Sequence, residues 1–220
     1  MVRRRLIRAC RARRAICLTY DDGPGPDLTP RVLELLREHG ASATFFLLGK
    51  RAEAHPEIVN QTVHEGHDIG CHTYDHLNAW KVAPWRAAAD ITRGYSALSK
   101  WVPAAGAFRP PYGKVTPLTW LCLRRRGAPI GWWTVDSGDT WETPPDREIA
   151  TDLLVRGGGG VVLLHDFDRG GGDAGSRHTF VLRTTAAVLE LARRQGFRLM
   201  TLAQLRAEVP GFGNTVERDR

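Results

Sequence analysis

Two adjacent carboxylates, Asp21 and Asp22, follow the apolar and β-prone residues 15–20 and precede Gly23-Pro24-Gly25-Pro26. The first stretch predicts a buried strand, and the Gly-Pro repeat ends regular structure directly after the pair. Neighbouring anions repel, so the pair is costly unless a cation or a shared proton compensates the charge. A metal ion bound by one carboxylate would leave the other free to move protons. The alternative is a capping aspartate in an ordinary strand-to-helix turn, which Asp-Asp-Gly-Pro alone would favour.

A histidine pair follows the third predicted strand, with His72 and His76 four residues apart. In a helical turn this spacing puts both imidazoles on one face, close enough to bind one ion. Two histidines and one aspartate would give a metal three protein ligands and an open position, as in catalytic metal sites. Two unrelated surface histidines would explain an isolated pair more simply. The carboxylates at a neighbouring strand end favour the metal site.

Three further polar residues stand beside predicted strands or rigid turns. Arg109 precedes a Pro-Pro-Tyr-Gly turn and is either a surface arginine or a fixed cation that orients a carboxylate and keeps it ionised. His165 ends the apolar strand at 161–164 and is either a turn histidine or a proton donor at the mouth of the core. Asp139 could hydrogen-bond His165 and raise its pKa, as an acid catalyst near neutral pH requires.

The elements that must position these side chains alternate along the chain. We predict strands at 15–20, 43–48, 67–71, 129–135, 161–164 and 197–200, and helices at 28–39, 56–65, 84–101, 115–126, 146–155, 179–195 and 202–208. Seven alternations with short connections predict an α/β fold whose parallel sheet is either a barrel or an open doubly wound sheet. The absence of Gly-x-Gly-x-x-Gly after the first strand disfavours a dinucleotide-binding fold.

The net charge of +7 comes from the first residues of the chain. Residues 1–14 hold seven arginines and no acid, whereas residues 15–220 hold 24 basic and 24 acidic side chains. We therefore predict a basic, disordered tail at 1–14, one domain at 15–208 and a C-terminal tail at 209–220. A weak contact with an anionic membrane surface is a second use of the basic tail. Nucleic-acid binding is not expected, because the rest of the chain is neutral.

The cysteines and the apolar runs bear on localisation. Cys10, Cys17, Cys71 and Cys122 show no metal-binding spacing. Arg8 interrupts Leu6-Ile7, so no apolar h-region follows the basic start and we recognise no secretion signal there. No apolar run is long enough to span a bilayer. We therefore expect reduced thiols and a cytoplasmic protein. The oligomeric state is not predicted.

Five segments of the chain resemble, in order, the five motifs of the polysaccharide deacetylase (NodB-homology) family, carbohydrate esterase family 4. They are Thr19-Tyr20-Asp21-Asp22-Gly23, His72-Thr73-Tyr74-Asp75-His76, Arg109-Pro110-Pro111-Tyr112-Gly113, the segment around Asp139, and Leu163-Leu164-His165-Asp166. The resemblance runs from about residue 15 to residue 208. Five ordered motifs are specific, although any one of them would be a weak signal.

This resemblance implies a fold, a cofactor and a set of roles. The fold would be a distorted (β/α)7 barrel of parallel strands with outer helices. One divalent metal ion, most often Zn²⁺, would be bound by Asp22, His72 and His76. Asp21 would be the general base with Arg109 as its partner. His165 would be the general acid, tuned by Asp139.

The resemblance also implies residues that contact the substrate. Leu163 would line the acetyl pocket, and the backbone N–H of Tyr112 would help to hold the oxyanion. The family usually has Trp directly after the fourth-motif Asp, whereas Thr140 intervenes here before Trp141. Separately, Trp80 follows the second histidine closely, and we predict that it borders the sugar site, since indoles stack on sugar faces. Packing of Trp80 into the core is the alternative.

The predicted function is a metal-dependent hydrolase that removes N-acetyl groups from an N-acetylated sugar, oligosaccharide or glycolipid. A deformylase, or another hydrolase of non-peptide C–N amides, would use the same residues. A non-haem iron enzyme is a remote alternative, because two histidines and one carboxylate also suit Fe(II). A nucleic-acid-binding protein acting through the arginine-rich tail is another. The second carboxylate, with the Arg and His partners, favours hydrolysis.

Overall fold

The computed structural model describes residues 2–146, 148–168 and 174–209. The strands in this part of the chain are β1 (Ala15–Asp21), β2 (Thr44–Leu47), β3 (Asp68–Cys71), β4 (Val135–Asp136), β5 (Gly160–His165) and β6 (Arg198–Leu199). The helices are α1 (Val2–Arg13), α2 (Leu28–Glu38), α3 (Gly49–Ala54), α4 (Pro56–His64), α5 (Pro84–Ala97), α6 (Pro117–Arg126), α7 (Glu148–Gly157), α8 (Ala174–Gln195) and α9 (Leu202–Glu208). None of these helices is long and apolar enough to cross a membrane.

The strands form one parallel sheet in the order β3-β2-β1-β5-β4, and β6 pairs with the first residues of β1. Beyond β3 the sheet continues through single parallel bridges from Cys71 to Phe108 and from Phe108 to Ile130. The five strands of the main path and the two bridged segments give seven neighbouring chain segments. This is the predicted distorted (β/α) barrel. Among the described residues, no pairing closes it between Ile130 and β4.

The alternation of side chains along β1 determines what enters the barrel. Ile16, Leu18 and Tyr20 belong to the large core between the sheet and the outer helices. Ala15 and Cys17 belong to a second core inside the barrel. Because successive side chains of a strand point to opposite faces, Thr19 and Asp21 continue the inward row. The last residue of β1 therefore carries its carboxylate to the mouth of the barrel.

The prediction of a disordered basic tail is wrong for residues 2–13, which form α1. Leu6, Ala9 and Cys10 are buried, and they pack in the inner core with residues of β1, β5 and α9. The helix therefore closes the end of the barrel where the strands begin. The predicted C-terminal tail at 209–220 lies outside the described residues apart from Val209.

Arginines of the α1 segment bind the ends of other helices. Arg11 Nε donates to the Gly157 carbonyl oxygen at 3.0 Å, and Gly157 is the last residue of α7. Arg14 Nη2 donates to the carbonyl of Gln195, the last residue of α8, at 2.5 Å. Arg13 Nη2 donates to the carbonyl of Glu208, which ends α9. These carbonyls have no partner within their own helices and lie at the negative ends of the helix dipoles, so cations stabilise them.

The structure differs from the predicted elements at two other places. The strand predicted at 129–135 is reduced to a bridge at Ile130 and the short β4. Between them, the carbonyl of Gly131 accepts a hydrogen bond from Arg109 Nε at 2.6 Å. The sequence does not predict helix α3, because Gly49 indicates only the end of β2. The other helix ends differ from the predicted ones by a few residues.

Candidate metal and acid–base site

Asp21 ends β1 inside the barrel and contacts a buried arginine. Arg109 Nη1 donates to Asp21 Oδ1 at 2.7 Å and to Thr19 Oγ1 at 2.8 Å. The Arg109 side chain is fully buried, and its guanidinium lies 4.2 Å from the centre of the Phe46 ring. Burial lowers the pKa of Arg109, and the Asp21 carboxylate acts in the opposite direction. The buried cation is thus matched by a buried anion, and removing either would leave the other uncompensated.

Asp22 lies beside both predicted histidines. Its Oδ1 atom is 3.3 Å from His72 Nε2 and 3.2 Å from His76 Nε2. One ligand atom from each of the three residues lies within 4.8 Å of the others. Asp22 Oδ1 is buried and has no hydrogen-bond partner among the described residues. A bound cation would compensate this buried oxygen. The carboxylate and the imidazoles therefore fit a divalent metal ion with an open coordination position.

The orientation of His72 suits this use. Its Nδ1 atom lies 2.7 Å from the carbonyl oxygen of Arg109. Because a carbonyl only accepts, Nδ1 carries the proton, and Nε2 of the neutral ring presents a lone pair to Asp22 and His76. The same residue, Arg109, thereby positions Asp21 with its side chain and His72 with its backbone.

The charges of this group indicate what occupies it. Burial lowers the pKa of His76 to about 4, which keeps that ring neutral. Burial opposes the ionisation of Asp22, but the neighbouring His72 and His76 hold its pKa well below the usual range. For His72, burial lowers the pKa, but Asp21 and Asp22 outweigh this effect and raise it. A positive charge beside the two carboxylates thus stabilises them. A metal ion would supply this charge in place of the proton on His72, so the two compete.

His165 ends β5 directly beside Asp21, its register partner in β1. Its Nδ1 atom lies 3.0 Å from Asp139 Oδ1, and its backbone N–H donates to Asp139 Oδ2 at 2.8 Å. Burial would lower the pKa of His165, but Asp139, followed by Asp21 and Asp22, raises it to about 9. The ring is therefore protonated at neutral pH.

The inserted Thr140 does not separate Asp139 from His165. Gly138 adopts a φ of 74°, and its N–H donates to Asp136 Oδ1 at 2.9 Å, which turns the chain. Arg177 Nη1 donates to the carbonyls of Asp139, at 2.8 Å, and Trp141, at 2.9 Å. These two bonds hold the residues on either side of Thr140, and Thr140 itself is exposed. Sequence reasoning missed Arg177, since nothing in the sequence links α8 to this turn.

Residues 8–130 match the family described as polysaccharide deacetylase. A peptidoglycan-N-acetylglucosamine deacetylase of Bacillus cereus is 36% identical over 193 residues, which cover 86% of this chain and 87% of that protein. The chain belongs to the polysaccharide deacetylase family. A chitooligosaccharide deacetylase of Bradyrhizobium is 33% identical over 200 residues, covering 87% of this chain and 90% of that protein.

A solved structure is also similar to this fold. The crystal structure of the Bc1960 peptidoglycan N-acetylglucosamine deacetylase, in complex with a naphthalenyl N-hydroxybenzamide, superposes with a TM-score of 0.75 at 30% identity. The superposition covers 94% of this chain and 92% of the deacetylase chain. The family, known also as carbohydrate esterase family 4, is therefore matched in sequence and in structure.

The residues that the family resemblance assigns to substrate contact lie around this mouth. Tyr112 has a φ of 55°, and its exposed ring lies 4.6 Å from the His76 ring. Leu163 is buried and precedes His165 by two residues on the same face of β5. Trp141 is half-exposed. In this deacetylase-family chain, the polar site thus has aromatic side chains at its rim and an apolar residue below it.

Trp80 does not pack into the core, which contradicts that alternative. Its side chain is 65% exposed, its Nε1 donates to the Val115 carbonyl at 3.1 Å, and Lys114 Nζ lies 4.2 Å from its ring. The indole is therefore held from one edge and open to solvent. Lys114 and Val115 directly follow the Tyr112-Gly113 turn, so Trp80 is connected to the rim of the site.

Proposed function

We propose that the protein is a metal-dependent hydrolase that removes N-acetyl groups from N-acetylated sugars in oligosaccharides or glycolipids. The proposal depends on the different contacts of the two adjacent carboxylates. Asp22 faces two imidazole nitrogens, whereas Asp21 contacts Arg109. A protonated His165 stands on the next strand. Amide hydrolysis needs all three functions: an electrophile site, a base and an acid.

The chain's own residues divide the proton transfers. A divalent cation held by Asp22, His72 and His76 would supply Lewis acidity and activate water. Asp21, fixed by Arg109, accepts a proton from the water that attacks the amide carbonyl carbon. The backbone N–H of Tyr112 stabilises the developing oxyanion. His165 donates its proton to the nitrogen as the C–N bond breaks, and acetate and a free amino sugar leave.

The relatives support the substrate class, and the rim supports an extended substrate. By name, one relative deacetylates the N-acetylglucosamine of peptidoglycan and the other deacetylates chitooligosaccharides. Exposed Trp80 and Trp141 offer indole faces for sugar rings. We therefore propose an N-acetylglucosamine-containing glycan, with Leu163 against the acetyl methyl group. We propose Zn²⁺ as the metal, because two imidazoles and one carboxylate with an open position suit it.

An acyl-release assay tests this function. Chelator-stripped protein is supplied with Zn²⁺, Co²⁺ or Fe²⁺ and given N-acetylglucosamine, its oligomers and N-acetylated glycolipids. We expect equal amounts of acetate and free amine, only with added metal and most from oligomers. His64→Ala, which changes an exposed histidine at the end of α4, is the matched control for His76→Ala.

Other outcomes of the assay point to the alternatives. Release of formate from N-formyl sugars without acetate release would favour a deformylase. Oxygen consumption with Fe²⁺ would favour the iron enzyme. Metal-loaded protein that releases no acyl group from any of these compounds would refute hydrolysis of sugar amides.

A further inference from the structure

We propose that Asp90, a buried carboxylate of α5, is a positioning residue that holds the loop of His76 and thereby sets the affinity of the site for a divalent cation. The proposal rests on the proposed metal site. Asp90 is 2% exposed and belongs to no motif of the family resemblance. Along α5 it stands within the buried row of Ala87, Ile91, Gly94 and Tyr95, where a charged residue needs an explanation.

The carboxylate of Asp90 binds the backbone on both sides of His76. Its Oδ1 accepts a hydrogen bond from the Asp75 N–H at 2.9 Å, and its Oδ2 accepts one from the Leu77 N–H at 3.3 Å. The N–H of His76 itself donates to Thr73 Oγ1 at 3.1 Å. Side-chain oxygens thus satisfy three successive amides of an irregular loop. No regular secondary structure restrains this segment, so these bonds fix the direction of the His76 side chain.

The loop needs such restraint because its backbone is strained. Thr73 has a φ of 71° and His76 a φ of 60°. Residues other than glycine rarely adopt this left-handed region, and Thr is also β-branched. Such conformations persist where the surroundings over-determine them, and they concentrate at functional sites. The contacts with α5 supply that over-determination.

Gly94, one turn after Asp90 on the same face of α5, contacts the other end of the loop. A Cβ atom at Gly94 would lie 2.5 Å from the Thr73 carbonyl carbon and 2.7 Å from its oxygen. On the opposite side, the Gly49 N–H at the start of α3 donates to the Thr73 carbonyl at 2.9 Å. The loop of His76 therefore contacts α5 at both ends. Gly94 permits the close approach of the Thr73 backbone, and Asp90 accepts the hydrogen bonds beside His76.

Asp90 is the acceptor in both hydrogen bonds, so its role can be tested by substitutions that remove one or both acceptors. Asp90→Asn keeps the volume but places an NH₂ group where one backbone N–H needs an acceptor. Asp90→Ala removes both acceptors. Asp75→Ala is the matched control, because Asp75 lies in the same loop and its carboxylate makes ion pairs with Arg93 and Lys50, at 3.0 and 3.5 Å.

The test measures the Zn²⁺ dissociation constant of the full-length protein by competition with a chromophoric chelator. We expect Asp90→Asn to weaken binding by about 10–100-fold, the range found when groups that orient metal ligands are removed. Asp75→Ala should stay near the wild-type value. At saturating Zn²⁺, the kcat of Asp90→Asn should return close to that of the wild type, because the proton-transfer residues are unchanged.

A second measurement keeps the proposal testable where Asp90→Ala does not fold. Amide hydrogen exchange at Asp75 and Leu77 in metal-free Asp90→Asn should be faster than in the wild type. A folded Asp90→Asn protein that binds Zn²⁺ as tightly as the wild type, or that merely unfolds more easily with an unchanged dissociation constant, would overturn the proposal. Wild-type protein that binds no metal would instead refute the metal-dependent function, which is a distinct result.

Discussion

Both ends of β1 gather charged side chains, but the two ends use charge differently. At the carboxyl end, Asp21 and Arg109 are buried and contact each other. At the amino end, Arg11 and Arg14 are exposed and contact backbone carbonyls at the ends of α7 and α8. Charges in the interior depend on a specific partner, whereas exposed charges at helix ends add small and separate increments. We therefore expect chemistry to be concentrated at the first end and stability to be distributed over the second.

The largest expected effect tests the carboxyl end. His72→Ala removes a nitrogen that faces Asp22, so we expect a folded protein with little bound metal and background activity. Elemental analysis and circular dichroism measure the two properties, and His64→Ala should resemble the wild type in both. Stoichiometric metal in folded His72→Ala would show that the cluster is not the metal site.

His165→Ala should separate acid catalysis from metal binding. His165 contacts Asp139 but lies outside the Asp22, His72 and His76 cluster. We expect full metal content and a kcat reduced by about 10²–10⁴-fold, the usual contribution of a general acid. Steady-state kinetics on an N-acetylated oligosaccharide, with metal analysis of the same sample, provides the measurement. Unchanged turnover would mean that another group protonates the leaving amine.

Leu6→Ala tests whether α1 is part of the fold. Leu6 is 3% exposed and packs inside the barrel, so its truncation should lower the free energy of unfolding by about 2–5 kcal/mol. Urea denaturation measures this change, and Leu153→Ala, at an exposed position of α7, should cost far less. The kcat of the folded protein should not change. A negligible loss of stability would restore the disordered tail that the sequence predicted.

Asp139→Asn should move a pH limb rather than remove the activity. Asp139, ahead of Asp21 and Asp22, raises the pKa of His165 to about 9, and the protonated ring is the form that the proposed mechanism requires. Without the anion, the basic limb of kcat/KM should fall to lower pH by about 1–3 units, with metal content unchanged. A limb that stays in place would assign it to another group.

The raised pKa of His165 also predicts a pH dependence of stability. The folded-state pKa of about 9 lies above the usual histidine value of about 6.5. The stabilisation from the pair is therefore fully present below about pH 6.5 and is lost as the pH rises through about 9. The Tm difference between the wild type and Asp139→Asn should narrow over that interval.

The smallest expected effect belongs to single arginines at the amino end. Arg11→Gln removes one bond to the end of α7, so the free energy of unfolding should fall by about 0.3–1 kcal/mol. Activity and metal content should not change. A loss as large as that of Leu6→Ala would mean that charge is as localised at this end as at the other.

The sequence predicts the carboxyl end better than the amino end for a physical reason. Asp-Asp-Gly-Pro and His-x-x-x-His are each ambiguous alone, but at the ends of neighbouring predicted strands they favour one metal site, so Asp21, Asp22 and both histidines could be predicted. The arginine run favours the prediction of a solvated tail, because Leu6, Ala9 and Cys10 form only a weak apolar stripe among the arginines. Their burial depends on an open barrel end that only the folded chain provides.

The remaining site contacts depend on tertiary placement. Thr140 made the approach of Asp139 to His165 uncertain, and Arg177, 36 residues beyond Trp141, makes bonds that the sequence does not suggest. Asp90 could have been found, because it interrupts the apolar stripe of α5. A charged residue in the buried row of a helix is thus a signal that family motifs do not contain.

The position of α1 has a practical consequence for handling the protein. The helix closes the barrel at the end opposite the mouth that holds Asp21, and Arg3 near its start donates to the Thr134 carbonyl one residue before β4 begins. A linker joined ahead of residue 2 would therefore leave the molecule on the side away from Asp22 and Trp80. Immobilisation through such a linker would present the mouth outward, toward the N-acetylated glycan that we propose as the substrate.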